Sequence, residues 1–309
     1  MTATVFIDGE AGTTGLGIRE RLDALSAFKV LSIDHDKRKD PQARKEMMAE
    51  VDAVVLCLPD DAAKESASLA KSLGGNGPKV LDASTAHRVA EGWAYGFAEM
   101  APGQADAIRK AQFVSNPGCY PTGAIALIRP LVDVGLLPAD HPVAVNAVSG
   151  YSGGGKSMIE AFETGKAPSF ELYGLGLEHK HVPEIQLYGA LKRRPIFVPS
   201  VGNFRQGMLV SLPLHLDTLP GQPTPAALEA ALAERFAGSE YVSVVPAGDP
   251  AMKGGKLEPE ALNDTNKLEL RVYGNATRGH AILVARLDNL GKGASGAAVQ
   301  NLQLMLGMN

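Results

Sequence analysis

Apolar and polar positions alternate along the first ninety residues in a strand-then-helix rhythm. Thr4-Val5-Phe6-Ile7 is a short β-branched and aromatic run, and Leu16, Ile18, Leu22 and Leu25 follow it at helical spacing. Lys29 to Asp34, Ala53 to Leu58 and Lys79 to Asp82 continue as strands. Their near-continuous apolar character suits strands of a parallel sheet covered on both faces. Helical segments between them predict an α/β fold whose N-terminal part is a Rossmann-like, doubly wound parallel sheet.

Beyond residue 118 the pattern changes. A helical run through Ala124, Ile125, Leu127 and Ile128 gives way to strands at Val143–Val148, Ile196–Val198, Met208–Leu212, Val242–Val245, Lys267–Tyr273 and Ala281–Leu287. Several of these alternate in polarity, which predicts a mostly antiparallel sheet with one open face in an α+β substrate and dimerisation domain. Ala298, Leu302 and Leu306 mark an amphipathic terminal helix. The expected division is 1–118 for dinucleotide binding, 119–287 for substrate and oligomerisation, and 288–309 for a segment returning to the first domain.

At 309 residues the chain can bury two cores, and its net charge of −4 carries no basic block, so no nucleic-acid partner is expected. No apolar run approaches membrane-spanning length, and the N-terminus lacks the basic and apolar regions of a signal peptide. Two cysteines, Cys57 and Cys119, are too few for a disulfide framework. Together these suggest a soluble cytoplasmic protein whose partners are small molecules and copies of itself.

Chemistry concentrates in three places. Ser115-Asn116-Pro117-Gly118-Cys119-Tyr120-Pro121 sets a cysteine between turn formers and the start of a helix. Unpaired amides and the helix dipole there favour a thiolate and can steady an oxyanion, although a buried structural cysteine fits the same pattern. Gly9-Glu10-Ala11-Gly12-Thr13-Thr14-Gly15 places small residues between strand and helix, where backbone can approach a pyrophosphate or simply turn tightly. Past the second strand, Asp34 suits a ribose hydroxyl while Lys37 and Arg38 suit a 2′-phosphate, which leans towards NADP; a solvated charged loop would look the same. The third place is His179-Lys180-His181-Val182-Pro183-Glu184, two histidines beside a carboxylate that fit a general acid/base, with a surface loop and a metal site as alternatives. No further cluster with ligand-like spacing accompanies them, so no metal is expected. Ser149 to Lys156, rich in glycine, reads as a loop that brings Ser152 and Gly153 near a ligand, or as a flexible connector.

Five ordered stretches carry a resemblance: Phe6 to Leu16, Asp82 to Arg88, Ser115 to Gly123, His179 to Glu184, and Asp288 to Gly296. They resemble the shorter form of the N-acetyl-γ-glutamyl-phosphate reductases of arginine biosynthesis, within the semialdehyde dehydrogenase group. The resemblance implies an NADPH-dependent enzyme that reduces an acyl phosphate through a thioester on Cys119, with His181 as acid/base. It also implies substrate contacts from Arg88, His179 and Glu184, and cofactor contacts from Gly9, Ala11, Gly12, Thr13, Thr14, Pro59, Ser84, Asn289 and Lys292. Cys57 would be core, and the assembly a homo-oligomer, dimer or tetramer. Aspartate-semialdehyde dehydrogenase shares the chemistry, since Glu184 could face a substrate amine; a catalytically silent dinucleotide-binding sensor is the alternative of another class.

Overall fold

The computed structural model describes residues 2–308, which divide into two compact units. The first comprises residues up to Ala98, Gly103–Pro117 and the chain from Ala294; the second comprises Glu99–Pro102 and Gly118–Gly293.

In the first unit the chain runs β1 (Ala3–Asp8), α1 (Thr13–Asp23), β2 (Phe28–Leu31), α2 (Pro41–Ala49), β3 (Ala53–Leu56), α3 (Asp60–Lys71), β4 (Lys79–Asp82), β5 (Ala94–Tyr95), α4 (Gln104–Lys110) and β6 (Phe113–Ser115). The strands form one parallel sheet in the order β2-β1-β3-β4-β6-β5. Successive side chains of a strand serve opposite faces. Accordingly Val5, Ile7 and Val55 join one core with Ile18 and Leu22 of α1, while Phe6, Val54 and Leu56 join another with Met48 of α2 and Ala67 of α3. Two covered faces explain why these strands read as continuous apolar runs.

The second unit contains α5 (Cys119–Asp133), β7 (Ala144–Gly150), α6 (Gly155–Glu163), β8 (Phe170–Leu172), α7 (Val182–Tyr188), β9 (Ile196–Gly202), β10 (Met208–His215), α8 (Pro225–Arg235), β11 (Val242–Val244), β12 (Leu268–Asn275) and β13 (His280–Leu287). Its sheet has the order β11-β12-β13-β10-β7-β9-β8 and is mixed: β11–β12 and β7–β9 are parallel, the other pairs antiparallel. Along β10, Met208, Val210, Leu212 and Leu214 are buried while Pro213 and His215 are exposed. Helices cover one face and leave the other open.

The closing helix α9 (Gly296–Met305) belongs to the first unit, where Ala298 and Leu302 join the core of α1, β1 and β3. A π-helical turn, Gly291–Ser295, precedes it.

Three local expectations differ from the structure. Leu16 is 53% exposed, because it lies two residues from Ile18, about 200° round the helix; Gly15, Ile18 and Leu22 form the buried stripe. The second strand stops at Leu31, three residues early, and the segment after Gly150 is a 3₁₀ turn (Tyr151–Gly154) leading into α6 rather than an open loop.

Candidate active site

In the second unit, α5 starts at Cys119 itself, with Gly118 in extended conformation as its N-cap. The Gly118 carbonyl accepts from the Thr122 amide and hydroxyl, at 3.0 and 2.9 Å. The Gly118 amide donates to Glu184 Oε2 at 3.0 Å. Glu184, 1% exposed, thus reaches from the first turn of α7 to the residue before the thiol and does not line the adjoining pocket. Gly293 closes the other side: a Cβ added there would lie 2.8 Å from Cys119 Cβ. Space at the thiol therefore depends on glycine at 293.

The pocket in front of Cys119 has a volume of about 190 Å³. His179, Lys180 and His181 form one wall, Tyr120 and Tyr173 another, and Ser149, Gly150, Gly153, Gly154, Met158 and Val201 complete the lining. No carboxylate is among these residues. The Tyr173 hydroxyl donates to Tyr120, whose hydroxyl donates to the Ser200 carbonyl, each at 3.0 Å. Burial pushes the Tyr120 phenol far above its ordinary range, and it lifts Tyr173 to about 12. Both therefore stay protonated, as this donor chain requires.

The two histidines have different surroundings. Burial, reinforced by the positive charge of Lys180, lowers His179 from 6.5 to about 4. Its Nδ1 lies 3.2 Å from the His181 amide, which donates to it. An imidazolium would carry a proton on that nitrogen and could not accept, so contact and pKa agree on a neutral ring. His181, 6% exposed, sits directly before α7 with its ring centroid 5.9 Å from that of Tyr120. A consequence for stability follows from the depressed value. The unfolded chain takes up a proton at His179 near pH 6.5, whereas the folded chain does so only near pH 4. That contribution is complete above the first value and is lost as pH falls towards the second. Urea midpoints of a His179→Gln variant should consequently fall less steeply than those of the parent between those pH values; equal slopes would place the acid sensitivity elsewhere.

The expected substrate loop divides. Gly153 lines the pocket, while Ser152 is buried, its Oγ accepting from Asn289 Nδ2 at 2.9 Å. Asn289 Oδ1 in turn accepts from the Gly207 amide at 2.8 Å. Both ends of this amide are thus engaged inside the second unit. Lys292 is buried as well: Nζ contacts Glu99 Oε1 at 2.9 Å and lies 5.0 Å from the Tyr241 ring centre. Burial lowers its pKa, against the opposing pull of Glu99.

In the first unit a cleft of about 310 Å³ lies along the glycine-rich turn. Phe6 to Ala11, Ile33 and Leu58 line it, together with His35, Arg38 and Lys39. Gly9 has φ +92°, and a Cβ there would run into the Cys57 carbonyl. Gly12 is different: it caps α1, among the described residues the nearest atom beyond its chain neighbours, the Gly9 carbonyl oxygen, would lie 3.6 Å from an added Cβ, and no acidic residue stands in the first turn. The helix start at Thr13 and Thr14 thereby leaves room for an anion beside Gly12, whereas Gly9 is glycine for the chain's own turn; Gly12, Thr13 and Thr14 are not among the lining residues of the cleft. Lys37 instead approaches Asp34 at 3.9 Å, and neither lines the cleft.

Pro59 caps α3, directly after the cleft residue Leu58. Ser84 donates its hydroxyl to the buried Asp82 at 2.9 Å, and His87 Nδ1 contacts the same carboxylate at 2.6 Å while stacking on Trp93. Arg88, 9% exposed, donates to the Ala83 carbonyl at 3.4 Å. Cys57 is held inert by burial and by Asp82 and Asp8, which push its thiol to about 12. Among the described residues no group of three or more His, Cys, Asp or Glu side chains could hold a metal ion.

Sequence reasoning missed Lys180, Tyr173 and Met158 in the pocket, and His35 and Lys39 in the cleft. Lys180 was visible inside the histidine motif and Lys39 beside Arg38. Tyr173 and Met158 carried no signal, since only the fold brings β8 and α6 to the thiol.

A parallel, dinucleotide-type sheet in the first unit and a cysteine at the start of a helix in the second are what an oxidoreductase acting through a thiol and a dinucleotide requires. Residues 10–110 match the semialdehyde dehydrogenase NAD binding domain, and residues 119–289 match the semialdehyde dehydrogenase dimerisation domain. The chain is 54% identical to N-acetyl-gamma-glutamyl-phosphate reductase of Brucella ovis, covering 99% of this chain and 100% of that one. It is also 54% identical to the same enzyme of Chelativorans sp. (strain BNC1), covering 99% of each. The chain therefore belongs to the semialdehyde dehydrogenase family, in its N-acetyl-gamma-glutamyl-phosphate reductase branch. Aspartate semialdehyde dehydrogenase II from Vibrio cholerae shares the fold at 14% identity, with a TM-score of 0.74 and 99% of each chain covered. Aspartate semialdehyde dehydrogenase with NADP from Candida albicans does so at 15% identity and a TM-score of 0.65, again over 99% of each.

Proposed function

We propose that this enzyme reduces N-acetyl-L-glutamyl 5-phosphate to N-acetyl-L-glutamate 5-semialdehyde and phosphate, as a step of arginine biosynthesis, with NADPH as reductant. The observation that carries the choice of substrate is the pocket beside Cys119, which has a lysine and two histidines on its wall and no carboxylate in its lining. An unacetylated aspartyl substrate brings an ammonium group that needs an acidic partner. An N-acetylated one does not, and Lys180 suits its α-carboxylate or phosphate. Glu184, the one acid in the motif, is spent on the Gly118 amide.

The Cys119 thiolate attacks the acyl-phosphate carbonyl carbon; a C–S bond forms, the C–O bond to phosphate breaks, and phosphate leaves with the electron pair. NADPH, when bound, supplies the hydride that the thioester carbon accepts. The positive end of the α5 dipole, at Cys119, stabilises the oxyanion of the tetrahedral species. His181 protonates that oxygen and takes the proton back as the C–S bond breaks, freeing aldehyde and thiolate. His179, neutral, holds the His181 backbone; Glu184 holds the turn before the thiol. Arg88 remains a proposed substrate contact, and Ser152 and Asn289 are proposed to support Gly153 from behind.

For the cofactor, the α1 start at Gly12 to Thr14 would hold the pyrophosphate, and Arg38 and Lys39 in the cleft favour a 2′-phosphate, while Asp34, the residue suited to a bare ribose, stays outside the lining. A homo-oligomer is proposed from the matched dimerisation domain and the open sheet face, where Phe170, Leu172 and Ile196 are exposed. No described helix is long and apolar enough to cross a membrane; a cytoplasmic setting is part of the proposal and fits two cysteines that form no disulfide.

The reverse reaction tests this. Phosphate-dependent reduction of NADP should proceed with N-acetylglutamate semialdehyde and at least about 10³-fold less efficiently with aspartate semialdehyde, in keeping with a buried polar group left unpaired. Preference for aspartate semialdehyde would retain the mechanism and overturn the substrate. Tight NADPH binding without turnover of either would favour a sensor.

A further inference from the structure

The last residue of β1, Asp8, is 4% exposed, and one of its oxygens gathers three donors. Arg44 Nε and Nη2 reach Asp8 Oδ2 at 3.0 and 2.6 Å, and Ser66 Oγ reaches it at 2.6 Å. Arg44 and Ser66 are themselves buried, on α2 and α3. Ion pairs placed out of water add little net stability when compared with apolar packing. Their geometric demand is strict, however, because any displacement leaves a charge unpaired. Such a pair is therefore suited to fixing one element against another.

Here the elements are two walls of one cleft. Asp8 leads straight into Gly9, Glu10 and Ala11, which line it. Arg44 stands one turn inside α2, its amide donating to the carbonyl of Asp40, the N-cap residue, at 3.0 Å. The segment ending at that cap carries His35 and the cations Arg38 and Lys39, which form the cationic wall. Since α2 is rigid, fixing Arg44 fixes the end of this segment. Ser32, just after β2, donates its hydroxyl to Glu10 Oε2 at 3.0 Å and ties the start of the segment to the turn; Arg44, not a residue of the wall itself, ties its far end.

We infer that the buried Asp8–Arg44–Ser66 cluster is a positioning device for dinucleotide selectivity, setting the His35–Lys39 segment at the distance from the glycine turn at which its cations meet an adenosine 2′-phosphate. This rests on the assignment of the cleft to NADPH. Arg44 touches no part of the ligand in this account and acts only through the segment. Lysine at 44 keeps the charge for Asp8 but cannot supply two donors in a fixed fork. The pair then survives while the segment loses its setting. NADH, with no 2′-phosphate, makes no phosphate contact with the cationic wall, so its binding depends less on where that wall stands.

The test compares NADPH and NADH dissociation constants by fluorescence titration of the full-chain enzyme, for the parent, Arg44→Lys, Ser66→Ala and Arg38→Ala. Arg44→Lys should weaken NADPH about tenfold, the loss of one charge-assisted bond, and NADH less than about twofold, with kcat at saturating NADPH unchanged. Ser66→Ala, which leaves the ion pair in place, should shift the ratio of the two constants in the same direction by a smaller factor, and it provides the measurement if Arg44→Lys does not fold. Arg38→Ala separates the two assignments. If it lowers the preference for NADPH while Arg44→Lys, or Ser66→Ala where only that variant folds, leaves the ratio unchanged, the positioning inference is overturned. If Arg38→Ala has no effect on the ratio, the assignment of this wall to the 2′-phosphate fails, and the inference with it.

Discussion

Cys119→Ser is expected to reduce turnover at least about 10⁴-fold, as removal of a covalent nucleophile does in other enzymes. Serine preserves the helix start, the neighbouring Gly118 contacts and nearly the volume of the side chain. What it removes is acidity: the dipole at the head of α5 can favour a thiolate, but it cannot bring an alcohol to the same state. No second thiol can substitute, because burial and the charges of Asp82 and Asp8 hold Cys57 at about 12. The dinucleotide cleft, lined by residues of the first unit, is untouched, so NADPH affinity should change less than about twofold. Alkylation provides an independent check. Brief iodoacetamide treatment near neutral pH should label the parent once, at Cys119, and the serine variant not at all. Substantial turnover in the serine variant would remove the thioester from the mechanism.

The second large effect is expected at His181. His181→Asn should lower kcat by about 10²–10⁴-fold, the range for loss of a general acid/base, and flatten the pH dependence of kcat. The choice between the two histidines rests on their surroundings. His179 is held neutral, at about 4, and its Nδ1 is occupied by the His181 amide. A group so placed is a poor proton donor at neutral pH. His179→Asn should therefore act through the position of His181, costing less in kcat and leaving the pH profile recognisable. The opposite ranking, with His179→Asn the more damaging and His181→Asn mild, would exchange the two roles. Both variants need the check that they still bind NADPH as the parent does.

Much of this could be read in the chain because local patterns carried it. The glycine-rich turn sits between β1 and α1, where the apolar run and the helical spacing placed it; β4 spans Lys79–Asp82 as expected; α5 opens on Cys119. These features depend on backbone conformation and on residues a few positions apart. Some short elements were illegible for the same reason, although β11, with three residues, was marked by its valines. β5 has two residues, β6 three and β8 three, too few for a period of two to be distinguished from chance. They exist because a neighbouring strand offers them hydrogen bonds, which is information held elsewhere in the chain.

The candidate site divides along the same line. By itself the sequence determined the chemical parts: a thiol at a helix start, a His-Lys-His run, a glycine-rich turn and a basic segment after the second strand, each contained within about ten residues. Only the tertiary structure decided what those parts face. It placed Glu184 behind the thiol on the Gly118 amide, where the motif alone allowed it to face a substrate amine. It brought Tyr173 and Met158 into the pocket, engaged Lys292 with Glu99 and Asn289 with Ser152, and set Arg38 and Lys39, but not Lys37, on the cleft. The physical reason is that the cost of burying a polar or charged group is relieved only by a partner in space. Partners such as Asp8 and Ser66, or Ser152 and Asn289, lie far apart in sequence and meet only when the sheets form.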